Sequence, residues 1–197
     1  MSLIRGLSFF GLCFAFVVIA LGAWTRLVDA GLGCPDWPGC YGFVVFPTTE
    51  AEILIAEQRY PQFPYEIDKA IPEVVHRYFA AALGFIAILL VAFSYKLKLP
   101  TRIKAIASFL LFFICCQGLF GYLTVSLKLL PIIVTGHLFG GFITLSLFFY
   151  LFLNTSDGIK NHQIGHLKIL GGIALFALLI QIFLGAWTST NYASLAC

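Results

Sequence analysis

Five stretches of this chain, residues 6–25, 78–95, 105–127, 129–156 and 169–197, contain no aspartate, glutamate, lysine or arginine. Each supplies the roughly 18 to 20 apolar residues that a helix needs to cross a bilayer. Lipid offers no partner to backbone N–H and C=O groups, so these runs are expected to be helical throughout. Of the 197 residues, 60% are hydrophobic and 11% charged, which is more apolar surface than a soluble domain can bury. The lipid bilayer is thus the first partner the chain requires. The expected fold class is an all-α polytopic membrane protein: an antiparallel four-helix transmembrane bundle plus a fifth transmembrane helix. The first run follows Arg5 as a secretory signal would, but it is too long for a signal core, and "LGAWTRL" lacks a small-x-small cleavage pattern.

Orientation follows from the basic residues of the short loops. With the N-terminus in the cytoplasm, the inner side collects Arg5, Lys96, Lys98, Arg102, Lys104, Lys160 and Lys168 against the single acid Asp157. The outer side holds five basic residues against eight acids. This places loop 26–72 on the outer face. A formal net charge of +3 gives no case for a nucleic-acid partner.

That loop is too long to be mere connection, so it is expected to be either functional or a cap. Its middle, "TTEAEILIAEQRY", reads as a short amphipathic helix on the membrane surface. "YPQFPYEIDKAIPE" reads as irregular, proline-punctuated chain, with Pro72 at the start of the second spanning helix. The other loops are short, as an up-down bundle needs. Small residues mark the expected helix contacts: Ala80, Ala81, Gly84, Gly118, Gly121, Gly136 and Gly140.

The chain also repeats itself. "LGAWTRLVDAGLGC" at 21–34 and "LGAWTSTNYASLAC" at 184–197 align without a gap and are identical at eight of fourteen positions. The fifth run therefore reads as a second copy of the first. The expected organisation is an N-terminal four-helix half over 1–156, a cytoplasmic linker over 157–168, and over 169–197 the first helix of a second, truncated half.

Two histidines are placed to do chemistry. His76, near the outer start of the second run, and His137, six residues into the fourth from Pro131, should lie at similar depth. Ionisable groups in a membrane usually face the bundle interior. Two imidazoles on two helices can hold a haem iron axially, with neighbouring glycines leaving room for a flat macrocycle; the alternative is a pair of interhelical hydrogen-bonding histidines. His162 and His166 sit in the polar "NHQIGH" loop, where solvated histidines are expected.

Glu73 stands three residues before His76, on the same helical face. It reads either as a proton acceptor beside a reacting centre or as an N-terminal helix carboxylate. Arg77 reads as a partner for a haem propionate or as a snorkelling interface residue. Cys34 and Cys40, with two prolines and a glycine between them in "GLGCPDWPGC", read as a structural disulfide or as a redox-active dithiol. Cys13, Cys115 and Cys116 read as inert packing residues, and Gln117 is the lone amide of the third run.

"LGAWTRLVDAGLGCPDWPGC", "EVVHRY" and "VTGHLFGG" together resemble the haem A synthase family, membrane enzymes that mature haem O to haem A for cytochrome oxidase. The resemblance covers the whole chain and implies eight helices in two pseudo-equivalent halves. It implies that His76 and His137 ligate the haem in the N-terminal half, where haem O is substrate. It further implies that Glu73 is the catalytic carboxylate, and that Cys34 and Cys40 form the disulfide of the first outer loop. The implied reaction is oxidation of a porphyrin methyl group to a formyl group by two successive hydroxylations, the gem-diol then losing water. A second histidine pair, binding haem b as cofactor, belongs to the C-terminal half, which this chain does not reach. The implied setting is the bacterial inner membrane, with haem O synthase and cytochrome oxidase assembly factors as partners and self-association into a homo-oligomer conceivable. Two other classes compete: a bis-histidine cytochrome exchanging electrons with quinone, which needs no Glu73, and a membrane thiol oxidase on Cys34 and Cys40, which needs no haem.

Overall fold

The computed structural model of the chain describes residues 1–156 and 165–193, with the side chains of Gly165 and His166 left aside. His162, the His166 side chain and Cys197 thus lie outside the described residues. Six helices follow in order: α1 (Ser2–Leu27), α2 (Glu50–Arg59), α3 (Ile67–Lys96), α4 (Thr101–Ser126), α5 (Pro131–Asn154) and α6 (Gly165–Thr190). All but α2 are long and apolar enough to cross a membrane, as the charge-free runs require. The chain is an all-α, polytopic integral membrane protein.

Helices α1, α3, α4 and α5 form a closed ring in which each packs against its two neighbours, and α6 lies against the outside of α5. Successive members of the ring run antiparallel, because each connection after α3 is only a few residues long. The packing rests on seams spaced alternately by three and four residues. On α1 the buried positions are Ile4, Ser8, Gly11, Ala15, Val18 and Thr25. Gly22 completes that register. At Gly11 the missing side chain is replaced by the buried ring of Phe148 from α5, the close approach that small residues permit between helices in lipid.

Away from the α1–α3 connection the seams are filled by an apolar core, including Leu83, Ile86, Leu90, Ala107, Leu110, Phe148 and Leu151. At the other end, beneath that connection, they are not. Among the small residues expected at contacts, Gly136 meets Phe120, Gly140 meets Gln117 and Gly84 meets Ile114. Gly118 meets no neighbour within 4 Å, and Ala81 is exposed. Cys13 and Cys115 are also exposed rather than packed, so these two face outward from the bundle.

The connection between α1 and α3 is a folded cap. Buried Cys34, Cys40, Tyr41, Ala56, Ala70 and Val74 form its own small core. The Tyr41 ring packs edge-on against Tyr60 and Tyr65, with centroids 5.7 and 5.3 Å away. Asp36 tightens the turn by accepting from the N–H groups of Tyr41 and Gly42, at 2.6 and 2.8 Å. Gly42 has φ of +79° beside the Arg59 side chain, a backbone conformation that strains any residue with a Cβ. The expected helix within the loop is α2, started by a capping box between Thr49 and Glu52.

The expected start of α3 at Pro72 is corrected: the helix begins at Ile67, so Pro72 is its sixth residue. A proline that early costs one intrahelical bond, since the first four N–H groups of a helix have no internal partner anyway. The Pro72 carbonyl accepts from Thr25 Oγ1 at 3.3 Å, tying α3 to α1. Likewise α6 begins at Gly165, inside the segment expected as linker. Its far end meets α1 through the first copy of the repeat. Arg26 donates to the Ser189 carbonyl and lies over the Tyr192 ring, and Tyr192 donates to Asp29 at 3.1 Å.

Candidate functional site

Followed toward the cap, the four seams change character. On α3 the register Ser94, Leu90, Ala87, Leu83, Ala80 continues to His76 and Glu73. On α4 the register of Ile103, Ala107 and Leu110 reaches Gln117 and Gly121. On α5 Leu151, Phe148 and Thr144 lead to His137. Apolar filling thus gives way to two imidazoles, a carboxylate, an amide and glycines. The periodicity that buries leucines at one end points these groups into the bundle at the other.

His76 and His137, 61 positions apart in sequence, face each other with ring centroids 6.4 Å apart and planes at 86°. Nδ1 of each is buried without a hydrogen-bond partner among the described residues. Buried polar atoms are seldom left so, and a bound ligand would satisfy both. Two imidazoles brought together from two helices, each with an unpartnered buried nitrogen, are the donor set that would hold a haem iron. Glycines back both. A Cβ at Gly22 would stand 2.9 Å from His76 Cε1, and one at Gly121 would stand 3.7 Å from His137 Cε1. The Gln117 amide lies against Gly140, in the space that any side chain there would occupy.

Glu73 and Arg77 sit one helical turn apart under the cap and form a salt bridge through Glu73 Oε1, with side chains only 6% and 14% exposed. The other carboxylate oxygen accepts from the Cys34 N–H at 2.9 Å. Arg77 Nη1 donates to the carbonyls of Asp36, at 2.9 Å, and of Gly39, with a longer contact of 3.4 Å to Pro38. Cys34 and Cys40 are joined by a disulfide. The expected residues therefore form two adjoining groups: the histidine pair, and a carboxylate–guanidinium pair bound to the disulfide loop. The Arg77 guanidinium is turned to the loop backbone. Glu73, the seventh residue of α3, lies beyond the first turn, so its partners are Cys34 and Arg77 rather than the helix terminus.

Two participants escaped the sequence reading. Gly22 belongs to the "LGAWT" repeat, but only its register with Val18 and Thr25 shows that it faces inward. Trp37, at the tip of the disulfide loop, meets Tyr122 of α4 edge-on at 5.9 Å and closes the cap over that side of the bundle. Nothing in the spacing of Trp37 foretells that contact.

Comparison with known proteins gives the family. The COX15-CtaA family model, described as cytochrome oxidase assembly protein, matches residues 5–197. The chain is 43% identical over 189 residues to a curated relative named heme A synthase, from Shewanella oneidensis. That alignment covers 94% of this chain and 57% of the relative, so the chain spans a little over half of that protein's length. No solved structure matches the chain. With a family model covering nearly its whole length and a relative this similar, the chain belongs to the haem A synthase family of cytochrome oxidase assembly proteins.

Proposed function

We propose that this chain is the haem O-binding, substrate-oxidising half of a haem A synthase. The observation that carries the reading is the pairing of His76 with His137 inside the bundle, each with a buried ring nitrogen that has no partner among the described residues. In this reading both imidazoles ligate the iron of haem O, and the glycine-lined end of the seams receives the macrocycle. Bound there, the haem would be the substrate: one of its methyl groups passes to formyl with loss of four electrons to an acceptor outside this chain.

The chain's own residues orient and move protons. The histidines fix the macrocycle's position. Glu73, three residues from His76 on the same seam, accepts a proton from the reacting centre. The cap covers the outer end of the site and keeps bulk water from it, with Trp37 closing the α4 side. The polypeptide sits in the bacterial inner membrane with its N-terminus in the cytoplasm and the cap outside, as the basic residues of the inner loops favour. Haem O synthase and assembly factors of cytochrome oxidase are the partners this role calls for.

The test is chemical. The protein is produced in cells that make haem O, and the pigment is extracted and separated by chromatography. Haem A and its hydroxylated precursor are expected with wild type, and unmodified haem O alone with Glu73→Gln. Unmodified haem O with both proteins overturns the oxidase reading and leaves an electron-carrying cytochrome.

A further inference from the structure

The disulfide loop is wired to the carboxylate beneath it. Its two ends are the joined Cys34 and Cys40, and within that ring the carbonyls of Asp36 and Gly39 both accept from one guanidinium nitrogen of Arg77. The other terminal nitrogen of Arg77 holds Glu73 Oε1, while the N–H of Cys34 itself holds Oε2. Each carboxylate oxygen thus takes its partner from the loop, one directly and one through Arg77. Glu73 is buried, so its carboxylate is poorly placed to find water when a partner is lost, and Arg77 is half-buried beside it.

We propose that Arg77 is a positioning residue in a redox-sensitive clamp: the closed Cys34–Cys40 ring, read by Arg77 and by the Cys34 N–H, fixes the Glu73 carboxylate, and opening the ring releases it. The inference rests on Glu73 serving the site proposed above. A ring of seven residues closed at both ends presents its carbonyls in one arrangement. Opened, the same segment of glycine- and proline-punctuated chain has many. Arg77 is suited to the task because its planar fork serves the carboxylate and the carbonyls together, as a lysine ammonium on a flexible stem does not.

The opening step is a thiol–disulfide exchange with a dithiol partner on the outer side. The partner supplies two electrons and two protons, the Cys34–Cys40 bond breaks, two thiols form on this chain, and the partner closes its own disulfide. Glu73 then loses its fixed position. The cap therefore lets an external thiol couple control proton transfer at the site without any electron passing to the haem.

Infrared difference spectroscopy of the purified full chain, before and after reduction with dithiothreitol, reads the clamp directly. Glu73→Gln identifies the Glu73 carboxyl band. Reduction is expected to displace that band in wild type. In Arg77→Met the band is expected to be displaced already in the oxidised protein, and reduction should move it by less than half the wild-type shift. Arg77→Lys should lie between the two. A Glu73 band unmoved by reduction in wild type, or moved as far in Arg77→Met as in wild type, overturns the clamp. The wild-type arm needs no substitution, so a variant that fails to fold leaves the test standing. The measurement is made on haem-free protein, so it separates from the oxidase reading: an inactive enzyme with a responsive band sinks that reading alone.

Discussion

At the scale of single residues, the site depends on where side chains are missing as much as on where they are present. Gly22 lies on the α1 seam against His76, and even a Cβ there would press on the imidazole. Gly22→Val is therefore expected to push the His76 ring aside and abolish haem binding while helix content, by circular dichroism, stays at the wild-type level. Wild-type haem occupancy in that variant would contradict the placement of His76. His137 could be picked out in the sequence because ionisable groups are rare in charge-free runs, His76 because it lies at similar depth at the outer start of the second helix, and Glu73 because it stands three residues before His76. The bond from Cys34 to Glu73 could not, since it joins positions 39 apart through a backbone N–H that any residue would offer. Arg77 is the instructive case. Its charge was conspicuous, but its partners are carbonyls, and carbonyls leave no mark in a sequence.

At the scale of elements, the cap is the piece with its own core and its own chemistry. Removing the disulfide by Cys34→Ser should cost it about 2 kcal/mol, the loop-closure term for so small a ring. The check is the urea concentration at which the loop becomes open to a protease added from the cap side, which should fall; an unchanged midpoint would show that the tyrosine core alone holds the cap. Burial of Tyr41, reinforced by Glu66, Tyr65, Glu73 and Asp36, raises its phenol from 10.0 to about 12. The unfolded chain gives up that proton first, so the cap is at full stability below pH 10 and loses stability as pH rises from about 10 to 12. A tyrosinate titration should show a late-ionising group that Tyr41→Phe removes. Its persistence in that variant would assign the late group elsewhere. The loop was legible as too long for a connector. The start of α3 was misplaced because proline favours the first turn of a helix, whereas Pro72 stands sixth in α3 at the cost of one intrahelical bond.

At the scale of the whole molecule, the charge-free runs dictated five spanning helices, and the structure contains helices over all five. Their ring arrangement follows from short antiparallel connections and from seams of matching period. The repeat shows where its two copies touch: Arg26 meets Ser189 and Asp29 meets Tyr192, each residue contacting its own counterpart in the alignment. The sidedness of the molecule is open to labelling. A cysteine introduced at Glu57 should react with an impermeant maleimide on intact cells, and one at Lys98 only after permeabilisation; the reverse pattern would invert the topology. In the function proposed here His76 and His137 together hold one haem iron. Its most direct measurement is the reduced-minus-oxidised visible spectrum of the protein purified from cells making haem O, alongside His76→Ala and His137→Ala. A low-spin, bis-histidine spectrum in the wild type, lost in both variants, is the predicted result. The same spectrum surviving in either variant would contradict it.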